Sequence, residues 1–131
     1  MKKKETTAED IRRIKRFNYT VLAVLAALAV LLLAWLGVRT WWAEFTPEKW
    51  SAYPDYRASM TADLLEGDAL LGMTEEEVTA LLGPNDDETG YFVKEDRHVY
   101  WLGARRTLVD SEWLLLDFDG GRVVSCSVAT D

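Results

Sequence analysis

Apolar and polar positions follow three different rhythms along this chain. The first is an unbroken run: Tyr19 to Val38 reads YTVLAVLAALAVLLLAWLGV and holds no charged residue. As a helix these twenty residues span roughly 30 Å, about the hydrocarbon thickness of a bilayer. The run has no Pro, and its one Gly, Gly37, lies at the end, so a helix can satisfy every backbone group internally. It predicts a transmembrane helix over 19–38. Residues 1–18 are polar and basic, and IRRIKRF has enough helical periodicity to extend that helix into the cytoplasm.

The second rhythm is helical. Thr46-Pro47-Glu48 reads as a helix start, with Thr as N-cap and Pro in the first turn. Pro54 interrupts it, and Tyr53-Pro54-Asp55 restarts a helix running to about Leu65, with Tyr56, Met60 and Leu64 on one face. Gly67 is the expected stop. Thr74-Glu75-Glu76-Glu77 has the spacing of a capping box, after which Val78, Leu81 and Leu82 face one side. Gly83, in the left-handed helical conformation, and Pro84 are expected to end that helix.

The third rhythm has period two. Gly90 to Glu95 reads as a short strand, HVYWL (His98 to Leu102) as a firmer one, and Glu112 to Phe118 and Val123 to Ala129 as two more. Asp119-Gly120-Gly121 predicts a tight hairpin between the last two. Alternation puts Leu114, Leu116 and Phe118 on one face, and Val124, Cys126 and Val128 on one face of the last strand. Trp113 then points away from the core, and Tyr100 and Trp101 split between faces. The expected fold class is α+β: a transmembrane helix, then a small two-layer domain of two helices packed on a three- to four-stranded antiparallel meander. The expected divisions are a basic tail (1–18), the span (19–38), a juxtamembrane segment (39–53) and an extracytoplasmic domain (54–131).

Charge orients this picture. Seven basic and three acidic residues lie in 1–38, against eight basic and nineteen acidic in 39–131, for net charges of +4 and −11. The positive-inside rule puts the N-terminus in the cytoplasm and the acidic domain outside the cell membrane, as a single-pass protein. A basic stub suits anionic lipid headgroups, while the acidic domain argues against nucleic acid as a partner. Trp35, Trp41 and Trp42, with Tyr19 at the other end, fall where membrane-interface aromatic belts form. The apolar run is longer than the 7 to 15 residues expected in a cleaved signal, and Trp35, Leu36, Trp41 and Trp42 crowd the place where cleavage would fall. An uncleaved anchor is expected. Ala23, Ala27 and Ala34 fall roughly on one helical face, a candidate surface for helix association, although Ala is common in such helices.

Candidate chemistry is sparse. One Cys, Cys126, excludes an intrachain disulfide, and its alignment with core positions marks it as packed and unreactive. His98 is the only histidine, and no Ser sits in a G-x-S-x-G turn. No catalytic set, cofactor site or metal site is expected; the protein reads as a non-enzyme. Asp86-Asp87-Glu88 is a weak calcium candidate, and Asp117-x-Asp119-Gly120 lacks the later ligands of a calcium loop. Trp101, Trp113 and Tyr100 are the candidate partner contacts, because exposed aromatics on a sheet mark interfaces.

GMTEEEVTALLGPND (Gly72 to Asp86), VYWLG (Val99 to Gly103) and EWLLLDFDGGRVVS (Glu112 to Ser125) resemble the SmpA/OmlA (BamE-like) domain family over roughly residues 55–130. The resemblance implies two helices followed by a three-stranded antiparallel sheet. It implies that Gly72, Met73, Thr74, Val78, Leu82, Gly83 and Pro84 are scaffold residues, and that the domain binds proteins of the bacterial cell envelope. The family's lipid-modified Cys is absent, and an apolar helix stands in its place. The resulting expectation is a membrane-anchored, extracytoplasmic protein-interaction module, an accessory or scaffold component of the envelope. A small envelope ligand or calcium sensor, a carboxylate enzyme, and an inhibitor of a secreted enzyme are the alternatives; the last rests on fold analogy alone.

Overall fold

The computed structural model describes residues 7–86, 90–104 and 110–131. Contacts divide the chain into two units, Met1–Arg39 and Thr40–Asp131. The first holds most of one long helix, α1 (Ala8–Ala43), none of whose residues is buried. Its length and composition suffice to cross a membrane.

The second unit is α+β. Three short helices, α2 (Pro47–Ala52), α3 (Arg57–Leu65) and α4 (Glu75–Leu82), precede three strands, β1 (Arg97–Ala104), β2 (Ser111–Asp119) and β3 (Arg122–Thr130). The strands form one antiparallel sheet in the order β1-β2-β3. Each helix begins as its sequence dictates. Thr46 caps α2 by accepting from the Lys49 amide, with Pro47 in the first turn. Pro54 opens a 3-10 turn (Pro54–Tyr56) that leads into α3. Thr74 and Glu77 close both halves of a capping box on α4. Gly83 ends α4 at φ +85° with an extended ψ, outside the left-handed helical region expected of it.

The core lies between the helices and one face of the sheet. Trp50, Leu64, Leu70, Val78 and Leu82 meet Tyr100, Leu102, Leu114, Leu116, Phe118 and Val123. Burial of so much apolar surface is the main drive to form this layer pair. The segment expected to connect membrane and domain (39–53) therefore contributes α2 and a core tryptophan, Trp50. The β2–β3 hairpin turns on Gly120 and Gly121, both at positive φ, as a two-residue type I′ loop requires.

Two expectations about the sheet need correction. Gly90–Glu95 is not a fourth strand. Gly90 and Asp96 bracket it at φ +82° and +60°, which bends the chain, and the Asp96 carbonyl accepts from the Phe118 amide. Val124, expected in line with Cys126, is 56% exposed. A register shift opposite Asp117 and Phe118 puts Val123 into the core instead. A second shift lies between Trp101 and Gly103 on β1.

Candidate functional site

Three places in the second unit carry side chains beyond what the core requires. The first surrounds the last turn of α1, where helical carbonyls have no partner further along the helix. Lys49 Nζ donates to the Trp41 carbonyl at 2.6 Å, and Ser59 Oγ to the Trp42 carbonyl at 3.2 Å. The Phe45 amide donates to Asp63 Oδ2 at 2.7 Å. Lys49 also lies 4.8 Å from the Trp41 ring centroid and 3.6 Å from Glu44. These contacts bury the lysine almost completely. They hold an aromatic cluster: Trp42 meets Trp41 edge-on at 4.7 Å and Tyr53 at 5.2 Å, and stacks on Tyr56 at 4.0 Å. Trp41 and Trp42 were expected at a membrane interface; Tyr53, Tyr56 and Lys49 were not. Tyr56, expected on the core face of α3, instead joins this cluster at the surface. Trp35 stacks under Arg39, whose guanidinium lies 5.4 Å from its ring. Tyr19, Ala23, Ala27 and Ala34 are all exposed along α1.

The second place is a polar node under β1. Arg57 is buried and fully engaged. Its Nε donates to the Trp50 carbonyl at 2.9 Å, and its Nη1 to Asp86 Oδ2 at 2.5 Å and the Trp101 carbonyl at 3.2 Å. The guanidinium sits 4.9 Å from the Trp50 ring. Asp86 also accepts from the Trp101 amide. This carboxylate thus ties α3 to the edge of β1. Asp87 and Glu88, its neighbours in the weak calcium candidate, lie outside the described residues. No cluster of three or more His, Cys, Asp or Glu side chains among the described residues is placed to hold a metal ion.

Tyr100 is the clearest correction among the candidate contacts. It is fully buried, donates from its hydroxyl to the Gly83 carbonyl at 2.9 Å, and meets the Trp50 ring edge-on. Burial, and then the Asp86 charge, push its pKa far above the usual phenol value. It is core because β1 presents Tyr100 and Leu102 to the helices and Trp101 to the other face. His98 packs its ring 4.8 Å from Phe118, with Nδ1 3.4 Å from the Tyr100 hydroxyl and Nε2 3.9 Å from Glu75. These neighbours engage the ring and both of its nitrogens.

The third place is the sheet itself. On its outer face the ladder pairs Arg97 with Asp117, Val99 with Leu115 and Trp101 with Trp113. Trp101 and Trp113 are both half-exposed, and Val99 and Leu115 between those rows are buried. Trp113 donates from Nε1 to Asp131 Oδ2 at 3.3 Å and tilts against Phe92 at 6.4 Å. On the inner face the core thins towards β3. Leu65, Asp68, Leu70, Leu71, Val124 and Cys126 line a cavity of about 260 Å³ there. Cys126 is half-buried, and burial followed by the Asp68 charge raises its thiol pKa.

No family model, curated protein or solved structure matches the chain. The structural roles of the Gly72–Pro84 motif residues are clear. Gly72 and Met73 exchange backbone hydrogen bonds with Val123, Thr74 caps α4, and Val78 and Leu82 are buried. The sequence identified these positions because they form a local motif. It did not reveal the contacts of Lys49, Arg57 or Asp86, whose partners are ones that no periodicity encodes.

Proposed function

We propose that this chain is a single-pass, membrane-anchored protein-interaction module of the cell envelope, with its N-terminus in the cytoplasm and Thr40–Asp131 outside. One observation carries the reading: α1 is long, contains a strongly apolar stretch, and has none of its residues buried. An apolar helix left bare in this way is stable only in lipid or against other helices. The excess of Lys and Arg before the span supports the orientation. The SmpA/OmlA resemblance supports a binding role, with the fold it implies: helices followed by a three-stranded antiparallel sheet. Trp101 and Trp113 remain the candidate contacts for a protein partner, and the bilayer is the second partner. The half-exposed tryptophans are of the residue type that dominates interface energetics.

The test is cross-linking and affinity capture from native membranes with two baits, the full chain and residues 40–131 on an unrelated anchor. Capture of the same partner by both supports the module, and Trp101→Ala or Trp113→Ala should then weaken it. Capture by the full chain alone moves recognition to α1 and its Ala23, Ala27 and Ala34 face. Release of the chain from membranes by carbonate or high salt, without detergent, would sink the anchor itself.

A further inference from the structure

The aromatic cluster at the end of α1 keeps a large exposed surface despite the contacts around it. Trp41, Tyr53 and Tyr56 are 46%, 43% and 49% exposed, although they pack on one another and on Trp42. Their backbones are held from several sides: Lys49 Nζ donates to the Trp41 carbonyl, Ser59 Oγ to the Trp42 and Tyr56 carbonyls, and the Tyr53 amide to the Lys49 carbonyl. Trp41 follows Val38, the last residue of the apolar run, by three positions in the same helix, about 5 Å along its axis. Whichever way the chain is threaded, that places Trp41 and Trp42 at the level of the lipid headgroups if α1 spans. Tyr53 and Tyr56 come from different elements, yet they extend the same patch.

Trp and Tyr side chains combine an apolar ring with a polar tip, which is why they settle in the interfacial layer of a bilayer. Among the described residues the patch holds one basic group, Lys49, and the neighbouring Arg39 lies over the Trp35 ring. Its lysine is buried against the Trp41 carbonyl and Glu44, and Glu48 and Asp55 nearby are exposed acids. Anionic lipid would therefore gain nothing from it. We propose that Trp41, Trp42, Tyr53 and Tyr56 together form a membrane-docking surface that seats the Thr40–Asp131 unit in the headgroup layer of the bilayer, through ring burial and not through attraction to anionic lipid. The proposal rests on the anchor reading above and deepens it, because it makes part of the folded unit, and not only the helix, a lipid-contacting element.

The test uses the full chain, with Cys126→Ser, in nanodiscs of phosphatidylcholine alone or mixed with phosphatidylglycerol. Single cysteines carry a nitroxide label at Ala52→Cys and Asp55→Cys, which directly precede Tyr53 and Tyr56. Labels at Leu28→Cys and Ser127→Cys serve as references. Collision with oxygen, which concentrates in lipid, is compared with collision with a water-soluble nickel chelate. At positions 52 and 55 the ratio should be several-fold above that at 127, below that at 28, and equal in the two lipid mixtures. Tyr53→Ser with Tyr56→Ser should bring position 52 towards the value at 127, with circular dichroism reporting that the fold persists. If position 28 is in lipid and positions 52 and 55 match 127, the docking surface falls and the anchor stands. If position 28 is itself open to the chelate, the anchor reading falls and docking falls with it. Shielding of 52 and 55 from both reagents would overturn the proposal in favour of a protein contact. A rise in ratio only with phosphatidylglycerol would overturn the ring-burial basis.

Discussion

At Gly103 a side chain is refused twice. Its φ is +130°, and a Cβ built there would lie 3.2 Å from the Asp55 carbonyl oxygen. The neighbour is backbone in the turn that leads into α3, so it cannot swing aside as a side-chain tip would. Gly103→Ala should destabilise the unit by about 1–3 kcal/mol, the usual cost of a non-glycine residue at such a backbone angle. A melting curve equal to wild type would mean that the Asp55 backbone yields to the added methyl group at no cost. Cys126 makes a different case. Its thiol pKa is raised by burial first and by the Asp68 charge second, and only the thiolate is a good nucleophile. Iodoacetamide at neutral pH should modify it much more slowly in the folded chain than in denaturant. Equal rates would show an open thiol.

At the scale of elements, α4 is the most local piece of the fold and offers the cleanest substitution. The Glu77 amide donates to Thr74 Oγ1 at 3.2 Å, and the Thr74 amide to Glu77 Oε2 at 2.9 Å. Thr74→Ala removes the N-cap acceptor and should cost roughly 1 kcal/mol, while Thr74→Ser should retain most of it. The comparison is a pair of denaturation curves; an alanine variant as stable as the serine one would deny the cap its role. The same locality explains what the sequence could disclose. Capping boxes, Pro-started helices and a Gly-Gly hairpin are written in adjacent residues, and all of them are present here. Gly90–Glu95 fails as a strand because alternation says nothing about the positive φ values that bend it. Tyr100 stands among the candidate contacts with Trp101 because period two separates their faces without saying which one the helices will cover. Val123 took the core place expected of Val124 because a register shift is a property of two strands, invisible in either alone. Arg57 and Asp86 lie twenty-nine residues apart, so no local pattern pairs them.

For the whole second unit, the excess of negative charge sets the terms on which any one ion pair can be observed. Arg97 and Asp117 face each other on the outer sheet, with Nε–Oδ1 at 2.6 Å and Nη2–Oδ2 at 3.1 Å, and Ser125 Oγ adds a third donor to the carboxylate at 3.2 Å. The Arg97 hydrogen bonds, against some desolvation, hold the Asp117 carboxyl below its usual range. A depressed folded pKa means that the stabilisation is fully present above the unfolded carboxylate value of about 3.9 and is lost as pH falls through the folded value. Acidification also protonates the many exposed acids and relieves repulsion across a unit with seven basic and nineteen acidic residues, a net charge of −12, which moves stability the other way. A melting temperature followed against pH in the natural protein mixes the two effects. Asp117→Asn separates them, because the repulsion is nearly the same in both proteins and cancels in their difference. The variant should melt lower than wild type at neutral pH, and the gap should narrow as pH drops below the usual carboxylate range and close in strong acid. A gap that stays constant down to strong acid would assign the loss to packing of the asparagine and would remove the Arg97 pair from the forces that hold β1 to β2.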